Sequence, residues 1–152
     1  MSDYDLIVRN ARIVTEDCQT EGDIAVKNGC IAAIEPELKG RGAREIDAGR
    51  KFVLPGGVDS HVHVEQKSGM GVMCADDFYT GTVSAAFGGT TTIIPFAAQH
   101  RGMSLRKVVQ DYHEVATPKA VIDYAFHLIV SDPTPQALGQ ELPALIKDGR
   151  ST

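Results

Sequence analysis

His61 and His63, one residue apart and preceded by Asp59, are the residues of this chain best placed to do chemistry. Imidazole nitrogens hold borderline-soft divalent cations through bonds of about 2.0–2.1 Å, and a nearby carboxylate serves as a further ligand or as the acceptor that orients a ligating ring. The stretch from Val58 to Val64 alternates as a β-strand does, so Asp59, His61 and His63 share one face while Val58, Ser60, Val62 and Val64 share the other. Side chains two apart in a strand stand roughly 7 Å apart at the backbone, close enough to lean onto one cation. The apolar second face predicts a strand buried on both sides, where two histidines and an aspartate cost free energy unless something satisfies them. Metal ligation by His61 and His63 meets that demand better than two core histidines bonded to backbone groups. Asp59 then reads as the orienting carboxylate rather than as a ligand.

The other reactive side chains read as structural. His100 and His113 fall on a loop and on a helix surface, and Lys147 sits before a glycine stop, where a solvated cation suits the helix dipole. Cys18, Cys30 and Cys74 are odd in number and lack a C-x-x-C spacing, which argues against a disulfide framework and a thiolate zinc site. The net charge of -5 and the scatter of lysine and arginine argue against nucleic acid as a partner. No run approaches the ~20 apolar residues of a membrane span, and the acidic start at Asp3 and Asp5 is unlike a basic secretory leader. The default location is the cytoplasm.

Two kinds of sequence meet near Pro55. Before it lie short strands: Leu6-Ile7-Val8, Ile13-Val14, then Ile24 to Lys27 and Cys30 to Ile34 joined by Asn28-Gly29, a two-residue hairpin signal. That turn predicts Val26 opposite Ile31 and Ile24 opposite Ala33. A polar loop over 37–44 follows, then strand segments at Ile46 and at 52–54. A sheet this small needs a partner sheet.

After Pro55, strand and helix alternate. A glycine-bearing loop over 66–74 leaves the histidine strand and rims the expected pocket. A helix starts at Ala75-Asp76-Asp77, with Phe78, Thr82, Ala85, Ala86 and Gly89 inward, and ends at Gly88-Gly89. Thr90 to Ile94 is β-branched and predicts a buried strand stopped by Pro95. Ser104 caps a helix carrying Leu105, Val108, Val109, Tyr112 and Val115. A third strand is expected over 120–130. A third helix follows from Thr134-Pro135, with Leu138, Leu142, Leu145 and Ile146 inward, kinked or split at Pro143. Three β/α units in a row fit either a doubly wound sheet or a (β/α)8 barrel. The G-x-G-x-x-G of the former is missing, while His61 and His63 sit at a strand's C-terminal end, where barrels place their chemistry.

At Leu54-Pro55-Gly56-Gly57-Val58-Asp59-Ser60-His61-Val62-His63 the chain resembles the amidohydrolase superfamily. At Ala75-Asp76-Asp77-Phe78, Gly88-Gly89-Thr90-Thr91-Thr92 and Asp123-Tyr124-Ala125-Phe126-His127 the resemblance narrows to its dihydropyrimidinase and hydantoinase branch. It covers essentially the whole chain. It implies that residues 1–54 are part of a β-sandwich and residues 55–152 the first three units of a truncated (β/α)8 barrel. The implied activity is hydrolysis of the cyclic amide bond of hydantoins or 5,6-dihydropyrimidines to N-carbamoyl amino acids, by a hydroxide bridging two divalent ions, zinc being the expected metal.

Within that resemblance His61 and His63 hold one metal, and His127 matches a position of packing or support. The metal-bridging carboxylated lysine falls within a residue or two after Thr152, and the catalytic aspartate later still. This implies a longer chain, the 152 residues alone being inactive. A homotetramer acting on a small cyclic ureide is the implied assembly and partner. One departure is Pro95, where many hydantoinases carry aspartate, which bears on substrate preference. Allantoinase or dihydroorotase chemistry is the rival enzyme reading, and a non-catalytic scaffold relative the rival of another class.

Overall fold

The computed structural model describes residues 2–68 and 70–149; Thr152, beside which the bridging lysine is expected, lies outside them. The chain divides into two compact units, Met1–Pro55 and Gly56–Thr152.

The first unit is one mixed sheet. Its strands are β1 (Tyr4–Val14), β2 (Gln19–Lys27), β3 (Cys30–Glu35), β4 (Gly42–Asp47) and β5 (Phe52–Val53). They run in the order β3-β2-β1-β4, with β5 also on β1. The hairpin forms as expected, Asn28 and Gly29 both taking positive φ (53° and 75°) and Val26 facing Ile31. Ile24, however, faces Ile34 and not Ala33, because an irregularity between Ala25 and Val26 slips the register by one. The two short strands expected around Asn10 are one long strand. Asn10 enters the left-handed region (φ 55°) at a bulge and the ladder resumes at Ala11. The polar loop is shorter than expected, since Gly42 already pairs with Tyr4.

That bulge is anchored by Asp23, only 5% exposed, which accepts from Asn10 N–H (3.0 Å), Leu38 N–H (3.1 Å) and Arg9 Nη1 (2.9 Å). Burial pushes its carboxyl up. The three donors outweigh that and hold it below the usual carboxylate range. Small apolar clusters of Ile7, Ala25 and Leu38, and of Ala11, Ile13 and Ile24, complete the unit.

The second unit is a parallel sheet with helices. In order come β6 (Gly57–Val62), α1 (Phe78–Phe87), β7 (Thr90–Ala98), α2 (Leu105–Ala116), β8 (Asp123–Tyr124), β9 (His127–Ile129), a π-helical turn (Ala137–Glu141) and α3 (Leu142–Lys147). The strands run β6-β7-β8, with β9 also on β7. Asp77 caps α1 in a reciprocal pair with Thr80, and Ser104 caps α2. Val64, Phe78, Ile93, Ala97, Val108, Ala116 and Phe126 form the main core.

Several expectations are corrected here. β7 does not stop at Pro95 but runs to Ala98. Pro95 is buried opposite Val62 at a register irregularity, so its missing N–H breaks no regular ladder bond. The third strand is two short pieces: the Ala125 N–H still donates to the Ile93 carbonyl (3.1 Å), and Phe126 turns into the core before pairing resumes at His127. On α1, Ala86 is exposed while Phe78 and Thr82 are buried. The third helix does split at Pro143, the second residue of α3. Leu138 and Ile146 are exposed, because the wider π turn carries Ala137 and Glu141 inward instead.

The strand β6 is not buried on both faces either. Val58 is 62% exposed, and among the described residues β6 pairs on one side only, with β7, which makes it the sheet edge.

Candidate metal centre

His61 is in β6 and His63 just beyond its end, with β7 alongside. Alternation puts their rings on one side, as the sequence predicts: the ring centroids lie 5.7 Å apart at an interplanar angle of 76°. For two imidazoles on a tetrahedral cation with bonds of about 2.0–2.1 Å, the centroids would stand about 5 Å apart, so the pair fits a shared ion with a small adjustment. Both rings rest on Phe96 of β7, at 4.8 Å for His61 and 5.1 Å for His63, the latter nearly parallel at 20°. Phe96 also packs against His127 at 5.3 Å.

His63 Nδ1 meets Gln66 Oε1 at 2.5 Å. An amide oxygen only accepts, so with Nδ1 as the donor of this bond the lone pair of His63 stands on Nε2, where it can serve a metal. Asp59 shares the face but reaches the main chain: its Oδ1 accepts from the His61 N–H at 3.1 Å. His127 Nε2 lies 3.0 Å from the Ser60 carbonyl oxygen and joins β9 to the histidine strand. His113 packs on Phe126 and Tyr124, and Lys147 lies in the last turn of α3, both apart from these rings. Among the described residues, no group of three or more His, Cys, Asp or Glu gathers around one point.

A cavity of about 610 Å³ opens beside His63. Its walls are Gln66, Met70, Val72, Met73 and Cys74 from the loop after the histidines, and the ends of β7 and β9 at Ala98, His100 and Ser131. The loop is closed on itself by a bridge between Lys67 and Met73. Another cavity of about 610 Å³, in the first unit, is lined by Asn10, Asp23, Asp47 and Arg50 among others, with neither histidine nor cysteine; Asp23 there is already taken up by internal donors.

Sequence reasoning placed the two histidines and the loop but missed Phe96 and Gln66. Phe96 was legible in principle, since the strand alternation through Pro95 puts it opposite the buried Ile93, Pro95 and Ala97. Pro95 points away from the histidines into the packed face. Gln66 had no sequence signature, because its contact depends on how the loop turns.

No protein-family model matches the chain. The D-hydantoinase of Geobacillus stearothermophilus is 44% identical over 142 residues, 93% of this chain and 30% of that protein. The dihydropyrimidinase of Rattus norvegicus is 39% identical over 131 residues, 83% of this chain and 25% of that protein. The crystal structure of D-hydantoinase from Bacillus sp. AR9 superposes with a TM-score of 0.90 at 40% identity, covering 97% of this chain and 32% of that one. The chain spans between a quarter and a third of the length of these relatives. Over nearly all of its own length, it is a homologue of the hydantoinases and dihydropyrimidinases.

Proposed function

We propose that this chain is the part of a metal-dependent cyclic amidohydrolase that supplies the first two metal ligands, His61 and His63. The observation that carries the reading is the pair of rings on one face over Phe96, with the Gln66 oxygen on His63 Nδ1, at the mouth of a cavity. In this reading residues 1–54 contribute to a β-sandwich, and residues 55–152 are the opening β/α units of a (β/α)8 barrel. The C-terminal ends of β6, β7 and β9 then face the reacting centre, as barrel strands do. Asp59 steadies the His61 main chain and His127 steadies Ser60.

The substrate class is a five- or six-membered cyclic ureide, a hydantoin or 5,6-dihydropyrimidine. His61 and His63 would hold one divalent ion, zinc being the metal expected, and the bound metal would supply an acidified water and polarise the amide carbonyl. Hydrolysis forms a C–O bond and breaks the ring C–N bond. The proton passes to the leaving nitrogen by way of an aspartate outside this chain, giving an N-carbamoyl amino acid. The protein's own residues present the ring nitrogens, and the 66–74 loop walls the ring's surroundings from water. A homotetramer in the cytoplasm is the assembly proposed.

The test uses the full-length protein, with bound metal quantified and hydantoin, dihydrouracil, allantoin and dihydroorotate assayed in parallel. Turnover of hydantoin or dihydrouracil, lost on chelation and in His61→Ala, is the expected result. Turnover of allantoin or dihydroorotate alone would reassign the substrate. Less than one equivalent of metal with no turnover of any of the four would overturn the enzyme reading in favour of a scaffold.

A further inference from the structure

A histidine that donates Nε2 to a cation needs its other nitrogen held, or the ring is free to turn or to carry its proton on the wrong side. The sequence suggests Asp59 for that task, but in the structure Asp59 bonds the main chain of His61. The holding group at His63 comes instead from the loop that follows. We propose that Gln66 is the positioning residue of His63, and that a clamp on Glu65 keeps Gln66 in place. The proposal rests on reading His61 and His63 as metal ligands.

Three observations support it. Gln66 Oε1 lies 2.5 Å from His63 Nδ1, and the His63 ring stacks on Phe96. Phe96 fixes the plane of the ring and Gln66 its rotation within that plane. Second, Glu65 sits in the left-handed region at φ 48°, a conformation a residue with a Cβ adopts at a cost and keeps only where its surroundings hold it.

Third, those surroundings are specific. The Glu65 N–H donates to the Asp76 carbonyl (2.9 Å), Oε2 accepts from the Phe78 N–H at the start of α1 (3.0 Å), and Oε1 accepts from Lys119 Nζ (2.5 Å). Lys119 also lies 3.6 Å from Asp77 Oδ2. The exit of the histidine strand, the start of α1 and the segment after α2 therefore converge on one carboxylate. The backbone they hold at Glu65 leads directly into Gln66, whose Oε1 meets His63 Nδ1.

Metal affinity of the full-length protein is the readout, by competition with a chromophoric chelator for zinc, alongside the unfolding temperature of the metal-free form. Gln66→Met, which keeps length and removes the acceptor, is expected to weaken zinc binding about 10–100-fold with the metal-free unfolding temperature unchanged. Gln66→Glu, which keeps an acceptor oxygen, is expected to stay near the parent affinity. Lys119→Met, which frees Glu65, is expected to weaken binding in the same direction. Parent affinity in Gln66→Met while His63→Ala loses metal would overturn the role of Gln66 and leave the ligand reading standing. Equal weakening in Gln66→Met and Gln66→Glu would also overturn it, by showing that shape and not the acceptor matters. Parent affinity in Lys119→Met would overturn the clamp. Parent metal content in His63→Ala would overturn the ligand reading itself.

Discussion

The buried carboxylates Asp23 and Glu141 show how much of this fold hangs on single side chains. Asp23 serves two main-chain donors and Arg9 at a bulge, so removing its charge leaves those donors facing a poorer acceptor. Asp23→Asn is expected to cost about 2–3 kcal/mol, read as a lowered denaturant midpoint. Glu141, 7% exposed, accepts from the Leu105 N–H (2.6 Å) and the Gln136 amide (3.0 Å). Burial pushes it up, and those donors, with the Ser104 hydroxyl and the Arg106 N–H, more than reverse the push. Both folded carboxyls thus titrate below their ordinary values of 3.8 and 4.5. The unfolded chain takes up protons first as pH falls. The stabilisation is complete above the unfolded values and is lost as pH drops through the folded ones. Unfolding temperature is expected to be flat between about pH 7 and 5 and to fall below about pH 4, less steeply in Asp23→Asn than in the parent.

Elements here are joined by contacts that helix and strand patterns do not record. The N-terminus of α2 takes its acceptor from Glu141 in the π turn, 36 residues later in the chain. Glu141→Ala is expected to lower stability by about 1–2 kcal/mol, the range for a lost helix cap, measured by chemical denaturation. The pairing of β6 with β7 begins at Gly57 opposite Thr90, and just before it Gly56 passes close to the Thr91 side chain. A Cβ at Gly56 would collide with Thr91 Oγ1 and Cγ2 and lie 2.7 Å from Thr91 Cβ, so a side-chain rotation alone cannot make room. Gly56→Ala is expected to cost about 1–3 kcal/mol and to weaken zinc binding, since β6 carries His61 and leads into His63; unchanged stability and affinity would show that the strand start has slack.

On the scale of the molecule, metal binding and stability should be linked. A ligand that binds only the folded state raises its stability by an amount set by ligand concentration over Kd, about 2.7 kcal/mol at a hundredfold excess. Zinc is expected to raise the unfolding temperature of the full-length protein and a chelator to lower it, with both shifts absent in His61→Ala. The sequence by itself determined the local periodicities and their punctuation: the Asn28-Gly29 turn, the caps at Asp77 and Ser104, the split at Pro143, and the shared face of His61 and His63. Each of these depends on residues within about one turn or strand of each other, where propensity and spacing decide. Tertiary structure alone decided that β7 passes through Pro95, that Phe126 turns inward and that Glu141 caps α2. It also decided that Lys119, 54 residues from Glu65, clamps the turn that sets Gln66 on His63. Those outcomes rest on which distant donor meets which buried acceptor, and that is fixed only when the sheet and helices pack.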